Sequence, residues 1–116
     1  MDTLGEHQAV VPVKAGERAG AALRTAHLLR IDSYMDTAIL SMWTASPRSD
    51  TMLGMVEASL RGGSPCGEDD ELIEKLRALV REGREYLAGG EFSVAMGRMR
   101  VAHDLLSLHI IRLSDA

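Results

Sequence analysis

Apolar residues recur every three to four positions from about residue 14 to just before Pro47. This spacing places them on one face of a long helix: Ala21, Leu28, Ile31, Met35, Ile39 and Met42. The helix should end before Pro47, because proline disfavours the α conformation in the residue that precedes it. Residues 1–13 contain Gly and Pro and show no helical period. They predict a short irregular N-terminal arm that packs onto the body or onto a partner chain.

Three further segments show the same helical period. The second helix covers TMLGMVEASLRGG (51–63), and its final Gly pair is typical of a helix end. The third, ELIEKLRALVREGREYLAGG (71–90), separates apolar and charged faces most sharply. The fourth runs from about Glu91 to Leu113. Short connections favour antiparallel neighbours, so the pattern predicts an all-α, four-helix, mainly antiparallel bundle that forms one domain over residues 14–116.

Composition agrees with this fold. The chain has 116 residues, enough for one domain, and 46% of them are apolar. Only 3% are aromatic, which favours packed helices over a sheet, since sheets draw on aromatic and β-branched residues. Helical proteins of this size often gain buried area by pairing, so we expect a homodimer.

Net charge and cysteine content limit the kinds of partner and the cellular compartment that the sequence predicts. A net charge of −4 argues against a nucleic-acid partner, which requires surplus Lys and Arg. The single cysteine, Cys66, cannot form an internal disulfide and fits a reducing cytoplasm. No apolar run reaches the roughly 20 residues of a membrane span, so no membrane association is expected. Eleven Arg against two Lys indicate a GC-rich bacterial genome.

Two carboxylates in the first helix are candidate catalytic groups. Asp32 and Asp36 are four residues apart, and they share a face with Leu29, Leu40 and Trp43. Close carboxylates raise one another's pKa, and burial raises it further, which could tune one of them for acid–base chemistry. The alternative is a half-buried face on which each Asp meets water or an arginine.

The fourth helix offers partners for these carboxylates. Arg100, His103 and Ser107 form a polar stripe at three-to-four spacing. We expect Asp32 or Asp36 to pair with Arg98, Arg100 or His103.

The remaining histidines have a structural interpretation. His109 falls on the apolar face with Ala95, Met99 and Ala102, where a hydrogen-bonded core histidine is more common than a catalyst. His27, in the middle of the first helix, has the same interpretation.

No metal or cofactor is expected. A carboxylate-bridged di-iron bundle needs Glu-x-x-His pairs, which this chain lacks. Pairs such as Met96 and Met99 could bind Cu(I), but methionine at helical spacing usually fills a core. There is no phosphate-binding glycine loop, serine nucleophile elbow or dinucleotide fingerprint.

Residues 76–107 resemble a single tetratricopeptide-type hairpin. Small, turn and aromatic positions of that motif fall in register at Gly83, Tyr86, Gly90, Phe92, Ala95 and Ala102. The resemblance implies close helix approach at the small residues. Glu82 and Ser107 depart from the pattern, which usually has Leu and Pro there.

The same segment is similar to the helical HEPN ribonucleases. A turn resembling GEF leads into a helix with Arg98 and His103 in the Arg-x4–6-His spacing of that family. The resemblance implies that these two residues would act on the RNA phosphate and the ribose 2′-hydroxyl. Met99 stands where a polar residue is usual.

Two functions remain open from the sequence. The first is a small cytoplasmic binding protein, dimeric, that engages a protein partner or a small apolar ligand between Met-rich helices. The second is a helical enzyme, either a HEPN-like ribonuclease or a lyase or isomerase of a small metabolite. Its candidate catalytic residues are Asp32, Asp36, Arg98 and His103, and its candidate binding residues are Trp43, Met96, Arg100 and Ser107.

Overall fold

The computed structural model describes the backbone from Asp2 to Asp115 and the side chains from Arg18 to Asp115. Within that range it contains four helices and no strand: α1 (Asp2–Trp43), α2 (Ser49–Leu60), α3 (Asp70–Ala88) and α4 (Phe92–Asp115). Each helix contacts the next, and α4 contacts α1, so the four helices form a closed bundle. The predicted all-α, four-helix bundle is confirmed.

The structure differs from the prediction at the start of the chain. The backbone is helical from Asp2, across the stretch in which the sequence predicts an irregular arm. The apolar period indicates which face of a helix packs, but a backbone can be helical without it. The side chains before Arg18 lie outside the described residues, and so does the predicted packing of the arm.

One apolar stripe from each helix builds the core. The buried residues are Leu28, Ile31, Met35, Ala38, Met42, Leu53, Val56, Leu60, Ile73, Leu76, Val80, Ala95, Met96, Met99, Ala102 and Leu106. Four of them are methionines, whose flexible thioethers fill irregular gaps in place of aromatic rings. Packing thus explains how a chain poor in aromatic residues still buries a continuous core.

The α3–α4 hairpin depends on two glycines. Gly83 is buried, and a Cβ placed there would lie 3.4 Å from the Met99 side chain and 3.5 Å from the Ala95 carbonyl oxygen. Gly90 has a φ of +79°, a left-handed conformation that glycine adopts without steric cost, and it turns the chain between the helices. The absence of a side chain at Gly83 lets α3 and α4 approach closely.

A buried carboxylate joins α1, α4 and the start of α3. Asp69 has a fully buried side chain and accepts two hydrogen bonds from the Arg24 guanidinium, at 2.9 and 2.7 Å. His109 Nε2 donates a third at 2.8 Å, since an ionised carboxylate can only accept. His109 is therefore a hydrogen-bonded residue at the edge of the core, in agreement with its structural interpretation.

The Asp69 carboxylate is held in its charged form. Burial raises the pKa of Asp69, but the hydrogen bonds from Arg24 and His109 and the charges of these two residues together outweigh it, and the pKa lies below its ordinary value. A folded-state pKa below the unfolded one stabilises the protein at pH values above the unfolded pKa. This contribution is lost as the pH falls through the lower folded-state value.

We predict that Arg24→Met lowers the free energy of unfolding by about 3 kcal/mol at neutral pH, because it leaves a buried charge with one of its two partners. The deficit relative to wild type should shrink as acid protonates Asp69. Urea unfolding followed by circular dichroism measures both effects. Arg77→Met is the matched control, since Arg77 pairs with the exposed Glu74 and should cost about 0.5 kcal/mol or less. Equal losses in the two variants would contradict the prediction.

Candidate functional site

The carboxylates of α1 and the imidazole of α4 meet at the interface of these two helices. Asp32 and Asp36 lie one helical turn apart and therefore share a face of α1. His103 Nε2 lies 2.7 Å from Asp36 Oδ1 and 3.2 Å from Asp32 Oδ1. The expected pairing of these carboxylates with a residue of α4 is thus present, and the residue is His103.

Asp32 occupies the more enclosed position of the two. Its side chain is 24% exposed, against 60% for Asp36. Burial raises the pKa of Asp32, and the neighbouring Asp36 charge raises it further, while His103 and the Ser107 hydroxyl lower it; the net shift is upward. Asp32 is therefore easier to protonate than an exposed aspartate, as expected from the sequence.

The Oδ1 atom of Asp32 is unusual within this group. It is buried and takes part in no hydrogen bond, although His103 Nε2 lies 3.2 Å away. An imidazole nitrogen directs one proton or one lone pair along one direction in its ring plane. The carboxylate oxygen nearer to His103 Nε2 is Asp36 Oδ1, at 2.7 Å, and the buried oxygen of Asp32 keeps an unused acceptor.

A surface concavity of about 250 Å³ opens beside the carboxylate–imidazole group. The residues that line it are Asp36, Ile39, Trp43, Arg100, His103 and Asp104. The indole of Trp43 supplies an apolar wall, and Arg100 supplies a positive charge. The concavity thus places acid–base groups, a cation and an aromatic surface within reach of one small molecule.

Two residues predicted for the site lie elsewhere. Arg98 donates a hydrogen bond of 2.8 Å to Glu82 of α3 and lies over the Tyr86 ring, 5.6 Å from its centroid. Arg98 and His103 are five positions apart, which places them about 140° from each other around the helix. Met96 is buried in the core and lines none of the concavities described. Arg100, Trp43 and Ser107 do lie at the site.

No metal site is predicted from the sequence. Three side chains of the kinds that bind metal ions nevertheless come together here. One atom each from Asp32, Asp36 and His103 lie within 4.8 Å of one another. This set contains no Glu-x-x-His pair, because its histidine comes from a helix that is distant in the sequence. Asp104 also lines the concavity, and no spacing in the sequence predicts this position for it.

Three larger concavities lie on other surfaces of the bundle, and two of them adjoin α1. One of about 410 Å³ lies between α1 and α2 and is lined by residues that include His27, Tyr34 and Met55. The Nδ1 atom of His27 is buried there without a hydrogen-bond partner. The other, of about 440 Å³, includes Arg24 and Cys66.

Among the described helices, none is both long and apolar enough to cross a membrane. Comparison of the chain with protein-family models, curated proteins and solved structures finds no match.

Proposed function

We propose that this protein is a helical interaction protein that forms a homodimer through the outward faces of α4 and α1. The observation that carries the proposal is the distribution of exposed large apolar side chains among the described residues. Ten of these eleven side chains lie on α1 or α4, and none lies on α3. Concentrated apolar surface of this kind is typical of protein interfaces, whereas isolated exposed residues are not informative.

The row on α4 is regular. Val94, Val101 and Leu108 are seven residues apart, and Leu105 fills the gap between the last two. Their exposed fractions range from 37% to 51%. Seven-residue spacing keeps side chains in line along a helix, as in the seams of coiled coils. This row faces away from the core stripe of α4, so it has no partner within the described chain.

Helix α1 adds apolar surface on the other side of the carboxylate–imidazole group. Leu29, Leu40 and Trp43 share the face of Asp36, and the Trp43 side chain is among the most exposed, at 61%. Exposed tryptophan is enriched among residues that contribute most to binding. The combined surface is therefore apolar at its margins and polar at its centre.

A second copy of the chain suits this surface. Two α4 helices related by a two-fold axis place the same apolar row on both sides of the contact. One regular row per chain is therefore sufficient to form the interface. Charged residues of both signs, including Arg98, Asp104 and Arg112, flank the row, and neither sign dominates. A protein partner also fits better than an apolar ligand between Met-rich helices, because Met35, Met42, Met96 and Met99 are taken up by the core.

We predict that wild-type protein is dimeric and that Val101→Glu weakens dimerisation by at least about tenfold. Each dimer would bury two such carboxylates, and losing one buried apolar side chain alone removes about 1.5 kcal/mol or more. Sedimentation equilibrium measures the dissociation constant.

Leu23→Glu is the matched control for this experiment. Leu23 is 63% exposed and lies on α1, but about 110° around the helix from the face of Leu29 and Leu40. Its substitution should leave the dimer intact, and circular dichroism should show an unchanged helix content in both variants. A wild-type chain that stays monomeric at its highest soluble concentration would overturn the proposal.

The second candidate is a small helical enzyme that uses the concavity between α1 and α4. The favouring observation is the 2.7 Å contact between His103 Nε2 and Asp36 Oδ1 at the wall of that concavity. With Nε2 directed at carboxylates, Nδ1 is the nitrogen left to exchange a proton with a bound molecule. Arg100 is placed to bind an anionic group, which suits a lyase or isomerase of a small acidic metabolite.

A ribonuclease that uses this concavity has a direct test. If the chain cleaves RNA through this concavity, His103→Ala should lower the rate at least about 100-fold, as expected for loss of an acid–base group. Arg100→Ala should also lower it, whereas Arg98→Ala should not, because Arg98 pairs with Glu82. Cleavage assays on single-stranded RNA give the rates. Equal rates for wild type and His103→Ala, or no cleavage at all, would dismiss the ribonuclease.

A further inference from the structure

The carboxylate–imidazole group offers the ligand set of a transition-metal ion. It comprises Asp32 Oδ1, Asp36 Oδ1 and His103 Nε2. His103 Nε2 lies 3.2 and 2.7 Å from the two oxygens. In a tetrahedral site with bonds of about 2.0 Å, neighbouring ligand atoms lie about 3.3 Å apart. The two carboxylate oxygens lie within 4.8 Å of each other, so side-chain rotation would bring all three atoms around one ion.

A second observation points to a missing partner at this position. Asp32 Oδ1 is buried without a hydrogen bond, and a buried polar atom is normally satisfied. His103 Nε2 lies 3.2 Å away and forms no hydrogen bond with this oxygen. A cation bound among the three atoms would coordinate this oxygen.

We propose that Asp32, Asp36 and His103 bind a single divalent first-row transition-metal ion, with Zn²⁺ as the reference ion. Imidazole nitrogen combined with carboxylate oxygen suits Zn²⁺ and its neighbours, whereas Mg²⁺ and Ca²⁺ prefer oxygen ligands alone. Three protein ligands would leave a fourth position for water. Two of the proposed ligands, Asp36 and His103, line the concavity beside Trp43 and Arg100. This inference does not depend on dimerisation, because all three ligands belong to one chain.

The local charges are consistent with a bound cation. Asp32, Asp36 and Asp104 bring three negative charges to this surface, against one positive charge on Arg100. A divalent ion would reduce the repulsion between Asp32 and Asp36, which face each other across one helical turn. It would also join α1 to α4, so metal binding should raise the melting temperature.

The test is isothermal titration calorimetry with Zn²⁺ on the full chain in the Cys66→Ser background, because the exposed Cys66 thiol could bind zinc by itself. One ion per chain is expected, with Mg²⁺ at least about tenfold weaker. His103→Ala and Asp36→Asn should each weaken Zn²⁺ binding by at least about 100-fold, since loss of even an outer partner of a metal ligand costs 10–100-fold.

Asp104→Asn is the matched control for charge. This substitution removes one carboxylate from the same concavity without removing a proposed ligand. The Zn²⁺ affinity of the variant should therefore stay within about threefold of that of the parent. Asp36 is 60% exposed, so Asp36→Asn should fold normally, and its circular dichroism spectrum checks this. Absence of binding, or equal affinity in the parent and in His103→Ala, would overturn the metal site.

Discussion

The orientation of α4 about its own axis is the constraint on which both the carboxylate–imidazole group and the exposed apolar row depend. The absence of a side chain at Gly83 allows Met99 and the backbone of Ala95 to pack closely against α3. This contact sets which residues of α4 point inward. Once it is set, His103 must face α1, and Val101 and Leu108 must face solvent, because a helix distributes its residues at about 100° intervals. Core packing thus positions both the polar group and the apolar row.

The sequence was sufficient for the features that repeat at helical spacing. The core stripes and the shared face of Asp32 and Asp36 follow from local periodicity. The start of α1 does not, because the residues before Lys14 have no apolar period although the backbone there is helical. Stacking two such helices predicts a contact between these carboxylates and a polar residue of α4, but it does not select His103 from the alternatives. Arg98 could not be placed in this way. Its spacing to His103 fits a known motif, but the same spacing puts the two residues on different faces of the helix, and Glu82 supplies a nearer partner.

Asp69 is a buried residue whose environment cannot be predicted from local periodicity. It lies in an acidic loop that reads as solvated surface, yet its side chain is fully buried. Its environment depends on Arg24 in the first helix and His109 in the last. The residues next to Asp69 in the sequence do not indicate either contact. Interactions between distant elements, including the three-residue group at the α1–α4 interface, become visible only when the helices are assembled.

The α1–α4 contact also has a consequence for how the bundle assembles. The other three helix contacts join neighbours in the chain, which meet after closing short loops. Asp36 and His103 are separated by more than half of the chain, so their contact closes the longest loop and carries the largest entropic cost. The contact between the first and last helices should therefore form late in folding and open first. A ligand that binds both helices would then act mainly by slowing the opening of this seam.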